Sequence, residues 1–242
     1  MVRSALLRPL RRSISVQPWL YLPWRQWRRP GTVLTDQTNL VIEGVPRCAN
    51  TWVEQVVRHA KPGIKLAHHS HAAAHVIAAV DRGIGVLVLH RCPDAAVASR
   101  LAHEGDLNPA AACTAYLDYV AFYDRILRIR ASDHLLWASF DTVTKCPGML
   151  ITTLNVRFDL HLDALDGPQD MQAIRMRMDA AAQVRRGSVR SASHPEGQDD
   201  QRLARRACAE DIIRSNAVAS ARRAALSLWP YLPCDVTQRR AA

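Results

Sequence analysis

Lysine is nearly missing from this sequence. Of its 32 basic residues only Lys61, Lys65 and Lys145 are lysines, and the others are all arginine. Cysteine is sparse: the six, at 48, 92, 113, 146, 208 and 234, contain no Cys-x-x-Cys pair. That pattern argues against a disulfide framework or a zinc ribbon and suits a reducing compartment. No apolar run reaches the length of a transmembrane helix. Arginines cut every apolar stretch near the N-terminus, so the h-region of a signal peptide is lacking as well. No internal repeat is present. Together these absences predict a cytoplasmic globular protein.

What is present fits one domain. The 242 residues are 48% hydrophobic and 22% charged, enough to bury a sizeable core. The net charge of +10 favours anionic partners such as a nucleotide, an acidic glycan, a membrane surface or a nucleic acid. Because the excess is arginine, bidentate binding of phosphate or sulfate is favoured. Residues 1–38 form a basic, Trp-rich arm, with Trp19, Trp24 and Trp27 interleaved with Arg25, Arg28 and Arg29. Prolines at 18, 23 and 30 argue against one long helix there. Such an arm either packs its tryptophans on the domain or meets an anionic membrane surface, which would make the protein membrane-peripheral. The main domain is expected over 39–230 and a loose tail over 231–242.

Within the domain, short apolar strands alternate with helical periodicity. Strands are predicted at 40–42, 64–67, 84–89 and 134–140, with helices between them. Residues 163–200 are polar and partly helical, and 201–228 return to helix. The alternation predicts an α/β fold, a three-layer α/β/α arrangement around a mostly parallel sheet.

The most informative stretch runs from Asn39 to Ala60. Leu40 to Ile42 reads as a buried strand, Gly44 to Asn50 as a turn, and Trp52, Val53, Val56 and Val57 mark a helix. A strand turning tightly into a helix points free backbone N–H groups and the positive helix end into the turn, and Arg47 adds a full charge. This is a cradle for phosphate or sulfate. The nucleotide P-loop would place Gly-Lys-Ser/Thr where Ala49-Asn50-Thr51 stand, so the phosphate-reaching lysine is absent.

Pro46-Arg47-Cys48-Ala49-Asn50-Thr51-Trp52 resembles instead the phosphosulfate loop of sulfotransferases, commonly Pro-Lys/Arg-Ser-Gly-Thr/Asn-Thr-Trp. A second match lies after the third strand. His90-Arg91-Cys92-Pro93-Asp94 and Ser99 resemble the family's Arg-x-Pro-x-Asp-x-x-x-Ser, although Asp94 stands one position early. The resemblance is good over 39–160, loose over 161–228 and slight over 1–38. It implies a P-loop-like fold and transfer of a sulfuryl group from 3′-phosphoadenosine 5′-phosphosulfate to an acceptor hydroxyl, without a metal. Arg47 and the amides of Cys48, Ala49, Asn50, Thr51 and Trp52 would hold the 5′-phosphosulfate, with Thr51 adding a hydroxyl. Trp52 would stack on the adenine or pack in the core. Arg91 and Ser99 would hold the 3′-phosphate, and Arg186, within Arg185-Arg186-Gly187, would close over it.

The family's histidine base after the second strand corresponds to His69, with His68 and His71 as close rivals and Ala67 at the usual lysine position. A zinc reading of His71 and His75, four residues apart, lacks a third ligand. The acceptor would be a small molecule, a glycan or a lipid, and no nucleic acid is expected. The competing readings are a P-loop kinase or other nucleotide-binding protein, and an inactive sulfotransferase-like protein that binds an anion or a membrane.

Overall fold

The structure is a computed structural model that describes residues 13–28, 30–165, 167–186 and 200–233. Four strands, β1 (Leu40–Glu43), β2 (Leu66–His68), β3 (Val86–His90) and β4 (Leu135–Ser139), form one sheet in the order β2-β1-β3-β4. Every pairing is parallel, with Ile42 opposite His68 on one side and Leu87 on the other. All residues of β1, β2 and β3 are buried. Strands covered on both faces explain why these runs are continuously apolar and not alternating.

The helices are α1 (Pro18–Arg28), α2 (Asn50–Ala60), α3 (Ala73–Asp81), α4 (Pro93–Glu104), α5 (Pro109–Leu127), α6 (Phe140–Lys145), α7 (Pro147–Phe158), α8 (Pro168–Arg186), α9 (Asp200–Arg214) and α10 (Ala219–Leu228). Two packing groups emerge: α2 touches α7 and α8, whereas α3 touches α1 and α5, and α4 and α5 touch α9 and α10. Right-handed crossovers put α2 and α3 on opposite faces of the sheet, because β1 is followed by β2 on one side and β2 by β3 on the other. The α/β prediction therefore holds, with a sheet that is entirely parallel, and the packing is compatible with three layers.

Local chemistry explains the boundaries. Asn108 caps α5 through its side chain, accepting from Ala111 N at 2.9 Å, and Ser139 caps α6 by accepting from Thr142 N at 3.1 Å. Asp94, early in α4, receives the guanidinium of Arg222 at 2.6 Å and the hydroxyl of Tyr116 at 2.7 Å, tying α4 to α5 and α10. Burial by itself would raise the Asp94 carboxyl, but Arg222 and Tyr116 hold it below the ordinary aspartate value.

One expectation is corrected. The second strand occupies 66–68, not 64–67. Asn39 N donates to Lys65 O at 2.8 Å and Asn39 Oδ1 accepts from Lys65 N at 3.0 Å, and the register of β1 with β2 begins at Leu40 opposite Leu66. Ile64 is buried as a turn residue, its N–H bonded to Lys61 O. In the arm, the described residues hold no single long helix, as the prolines predict: α1 starts at Pro18 and ends at Arg28, before Pro30, although it runs through Pro23 without breaking. Pro23 and Trp19, one turn before it, are both exposed, so the proline ring sits on the outer side of the helix.

Candidate functional site

The site lies at the carboxyl edge of the sheet between β1 and β3. There the chain order reverses, and open α/β sheets bind ligands in the crevice at such a switch point. Gly44 opens the loop after β1. A Cβ on it would sit 2.5 Å from Leu89 O, so only glycine lets the loop pass so close to β3. Arg47 and Ala49 follow with positive φ, 74° and 70°, around Cys48. Alternation of this kind turns successive N–H groups toward one point, a concavity suited to an anion. Ala49 is also the N-cap of α2 and offers no side-chain cap, so the first N–H groups of the helix stay available.

The predicted arginine–serine pair converges on this loop. Arg47 Nε donates to Ser99 Oγ at 3.1 Å, and Arg91 Nη1 donates to Arg47 O at 3.2 Å. The Arg91 guanidinium lies 3.7 Å over the Phe140 ring, and Tyr119 Oη holds the Arg91 carbonyl at 3.0 Å. Burial lowers the Arg91 pKa from its ordinary value, opposed by nearby groups led by Cys48. Two arginines and a hydroxyl thus meet from segments far apart in sequence. Sequence reasoning missed Phe140 and Tyr119 as the supports that aim Arg91.

Other loop residues serve the scaffold. Cys48 is fully buried, its Sγ 3.7 Å from Tyr123 Oη, and burial pushes its thiol up to about 12 despite Arg91 and Arg47 nearby. Its buried side chain packs in the core, so what Cys48 can offer a ligand is its backbone amide. Asn50 Nδ2 donates to Val45 O at 3.0 Å and staples the turn. Trp52 is 3% exposed and its Nε1 donates to Val143 O at 3.0 Å. Of its two expected roles the core one holds, because no face of the ring is open to stack on an adenine. Arg186 ends α8, and its side chain lies outside the described residues.

The histidine loop is held in an unusual conformation. His69 and His71 have positive φ, 56° and 52°. Each costs on the order of 1–3 kcal/mol for a non-glycine residue and persists only where its surroundings over-determine it. Here the surroundings do so. The buried Glu43 carboxylate accepts from Ser70 N and His71 N, both at 2.8 Å. Arg25 donates to His69 O at 2.9 Å and Tyr21 to Ser70 O at 3.0 Å. His75 completes the clamp: its Nε2 accepts from Leu34 N and its Nδ1 donates to Glu43, both at 2.9 Å. Both nitrogens are committed, so His75 is a structural staple and the His71–His75 zinc reading fails.

The remaining histidines differ sharply. His69 Nε2 lies 3.0 Å from Thr51 Oγ1, and His69 Nδ1 lies 2.6 Å from His68 Nδ1. Glu54, on α2, lies 3.4 Å from His68 Nε2 and 3.6 Å from His69 Nδ1. One set of neutral tautomers orders the first two links, the Thr51 hydroxyl donating to His69 Nε2 and His69 Nδ1 to His68 Nδ1, while Glu54, whose Oε1 accepts from Arg58 Nε at 3.1 Å, stands as the nearest carboxylate to both rings. A base backed by a buried carboxylate is the arrangement that takes up a proton and stabilises the resulting imidazolium. The same Glu54, His68 and His69 atoms lie within 4.8 Å of one another, close enough to hold a metal ion in principle. Two ring nitrogens at 2.6 Å fit a hydrogen bond better than shared ligation, which needs wider spacing.

His71 sits on the other side of the loop. Its Nδ1 donates to Gly44 O at 2.6 Å, leaving Nε2 as the basic nitrogen. Burial pulls its pKa down to about 4, against the opposing pull of Glu43. His71 lines a cleft of about 230 Å³ together with Tyr21, Val45, Pro46, Arg100 and Phe122. Its walls include Val45 and Pro46 of the loop after β1, but not Arg47, Arg91 or Ser99. Comparisons of the chain with models of known families, with curated proteins and with solved structures find no match.

Proposed function

We propose that this protein transfers a sulfuryl group from 3′-phosphoadenosine 5′-phosphosulfate to an acceptor hydroxyl, on a P-loop-like three-layer frame. The observation that carries the reading is the meeting of Arg47, Arg91 and Ser99 at the β1/β3 switch point. Guanidinium forks and hydroxyls suit a ligand with two separated anionic groups. Arg47, Thr51 and the amides of 48–52 would take the 5′-phosphosulfate, and Arg91 with Ser99 the 3′-phosphate. His69 Nε2, near the first turn of α2, would accept the acceptor's proton as the new O–S bond forms and the S–O bond to the leaving phosphate breaks. Glu54, acting on His69 both directly and through His68, would steady the charge on the ring. Positioning and a preorganised anion cradle would supply most of the rate.

The kinase reading is weaker, because the loop has no lysine at the phosphate-reaching position. Calorimetric titration with 3′-phosphoadenosine 5′-phosphate, adenosine 5′-phosphate and ATP with Mg²⁺ tests the choice. The doubly phosphorylated nucleotide should bind tightest. Preference for ATP with Mg²⁺ would favour the kinase reading, and no nucleotide binding at all would overturn both.

A further inference from the structure

Helix α1 has two faces with different fates. The inward face is anchored: Tyr21 is 2% and Arg25 8% exposed, and both bond to the histidine loop. The outward face carries Trp19, Leu20, Pro23 and Trp27, which a period of 3.6 places on one side of the helix. Trp19 is 73%, Leu20 41% and Trp27 82% exposed. A helix fixed by its inner face thus presents two nearly bare tryptophans to the outside. Exposed apolar stripes of this kind mark interaction sites.

The surrounding charge selects the partner. Helix α1 contains no acidic residue. Arg28 is exposed beside the stripe, its guanidinium 5.8 Å over the Trp24 ring. Arg29 follows in sequence, Arg8, Arg11 and Arg12 precede, and the whole chain carries +10. We propose that the outward face of α1 docks on an anionic lipid bilayer. Trp19, Leu20 and Trp27 enter the headgroup boundary, and the arginines meet lipid phosphates. Tryptophan prefers that boundary because its ring is apolar and its N–H polar. An amphipathic helix lying in the interface gains from apolar burial and from charge attraction together. Docking by this face leaves Tyr21 and Arg25 in place, so the histidine loop and the cleft keep their shape.

The test is co-sedimentation of the full chain with phosphatidylcholine vesicles, with and without phosphatidylglycerol. Binding is expected only to the vesicles containing phosphatidylglycerol, and it should weaken as salt is raised. The Trp19→Ser/Trp27→Ser double variant should lose about tenfold or more in partition coefficient. Its melting temperature should be unchanged, because both side chains are exposed. Failure of the unaltered chain to bind the anionic vesicles at low salt overturns the proposal. So does full binding by the double variant. A dimer in light scattering that the double variant turns into monomer would assign the face to a second copy of the chain, and would overturn it too.

Discussion

Removing the Arg91 side chain separates a ligand-binding role from a structural one. The guanidinium is aimed before any ligand arrives: Nη1 on Arg47 O at 3.2 Å, Cζ 3.7 Å over Phe140, and the backbone held by Tyr119 at 3.0 Å. Little ordering is then left to do on binding, and the charge acts at close to full effect. Arg91→Ala should weaken 3′-phosphoadenosine 5′-phosphate by about 2–4 kcal/mol, the cost of deleting one partner of a buried charged pair. That is roughly 30- to 1,000-fold in Kd. Adenosine 5′-phosphate lacks the second phosphate and should change little. A separate stability loss of about 1–3 kcal/mol is expected from the charged hydrogen bond and the ring contact, read by thermal melting. Arg91→Lys keeps the charge but loses the fork and the stacking, so its affinity should fall in between, and it serves if the alanine variant folds poorly. Calorimetry with both nucleotides decides. Equal losses for the two ligands would show that Arg91 shapes the loop and binds no 3′-phosphate.

His69→Ala should lose about 10²–10⁴ in turnover with donor affinity nearly intact, the usual cost of a missing general base. Glu54→Gln should lose less and shift the pH profile, whereas a dominant loss in His71→Ala would move the chemistry to the cleft side of the loop. Stability should fall in acid in two stages. With a folded pKa of about 4, His71 takes its proton later than in the unfolded chain, where histidine titrates near ~6.5. The unfolded state therefore gains protons first as pH falls through that window. Burial alone would raise Glu43, but His75, His71 and the Ser70 amide hold it below the ordinary glutamate value. Its contribution is thus present above that value and is lost as pH falls through the folded one. Urea midpoints from pH 7.5 to 3.5 should show both stages, His71→Gln should remove the upper one, and a flat profile would refute the assignment.

Much of the frame was legible because buried parallel strands are continuous apolar runs. Val41, Ile42 and Val86 to Leu89 are all fully buried. The two anion motifs were legible because they combine side-chain type with position at a strand end. What pattern could not show was the support beneath them. Tyr119 and Tyr123 lie on α5, far from both motifs in sequence, yet their hydroxyls fix Arg91 O and Leu89 O, at 3.0 and 2.6 Å. Trp52 was ambiguous for the converse reason. A tryptophan at the start of a helix suits a base or a core equally well, and only the Val143 carbonyl 91 residues away decides it.

The histidines show most clearly where local rules stop. In an extended chain, residues two apart share a face, so His69 and His71 would point the same way and a slip of one residue would exchange them for His68. Left-handed backbone at both positions breaks that period: His69 turns toward Thr51 and α2, and His71 toward Gly44 and the cleft. Short-range preference argues against such a conformation, since neither residue is glycine. It is imposed from far along the chain, by Glu43 on the amides of Ser70 and His71, by Tyr21 on Ser70 O, and by Arg25 on His69 O across 44 residues of sequence. The same contacts join the arm to the site. Deleting residues 1–38 would therefore remove two of the anchors that separate the histidines, along with any membrane contact. Point substitutions on the outer face of α1 distinguish those effects, and truncation does not.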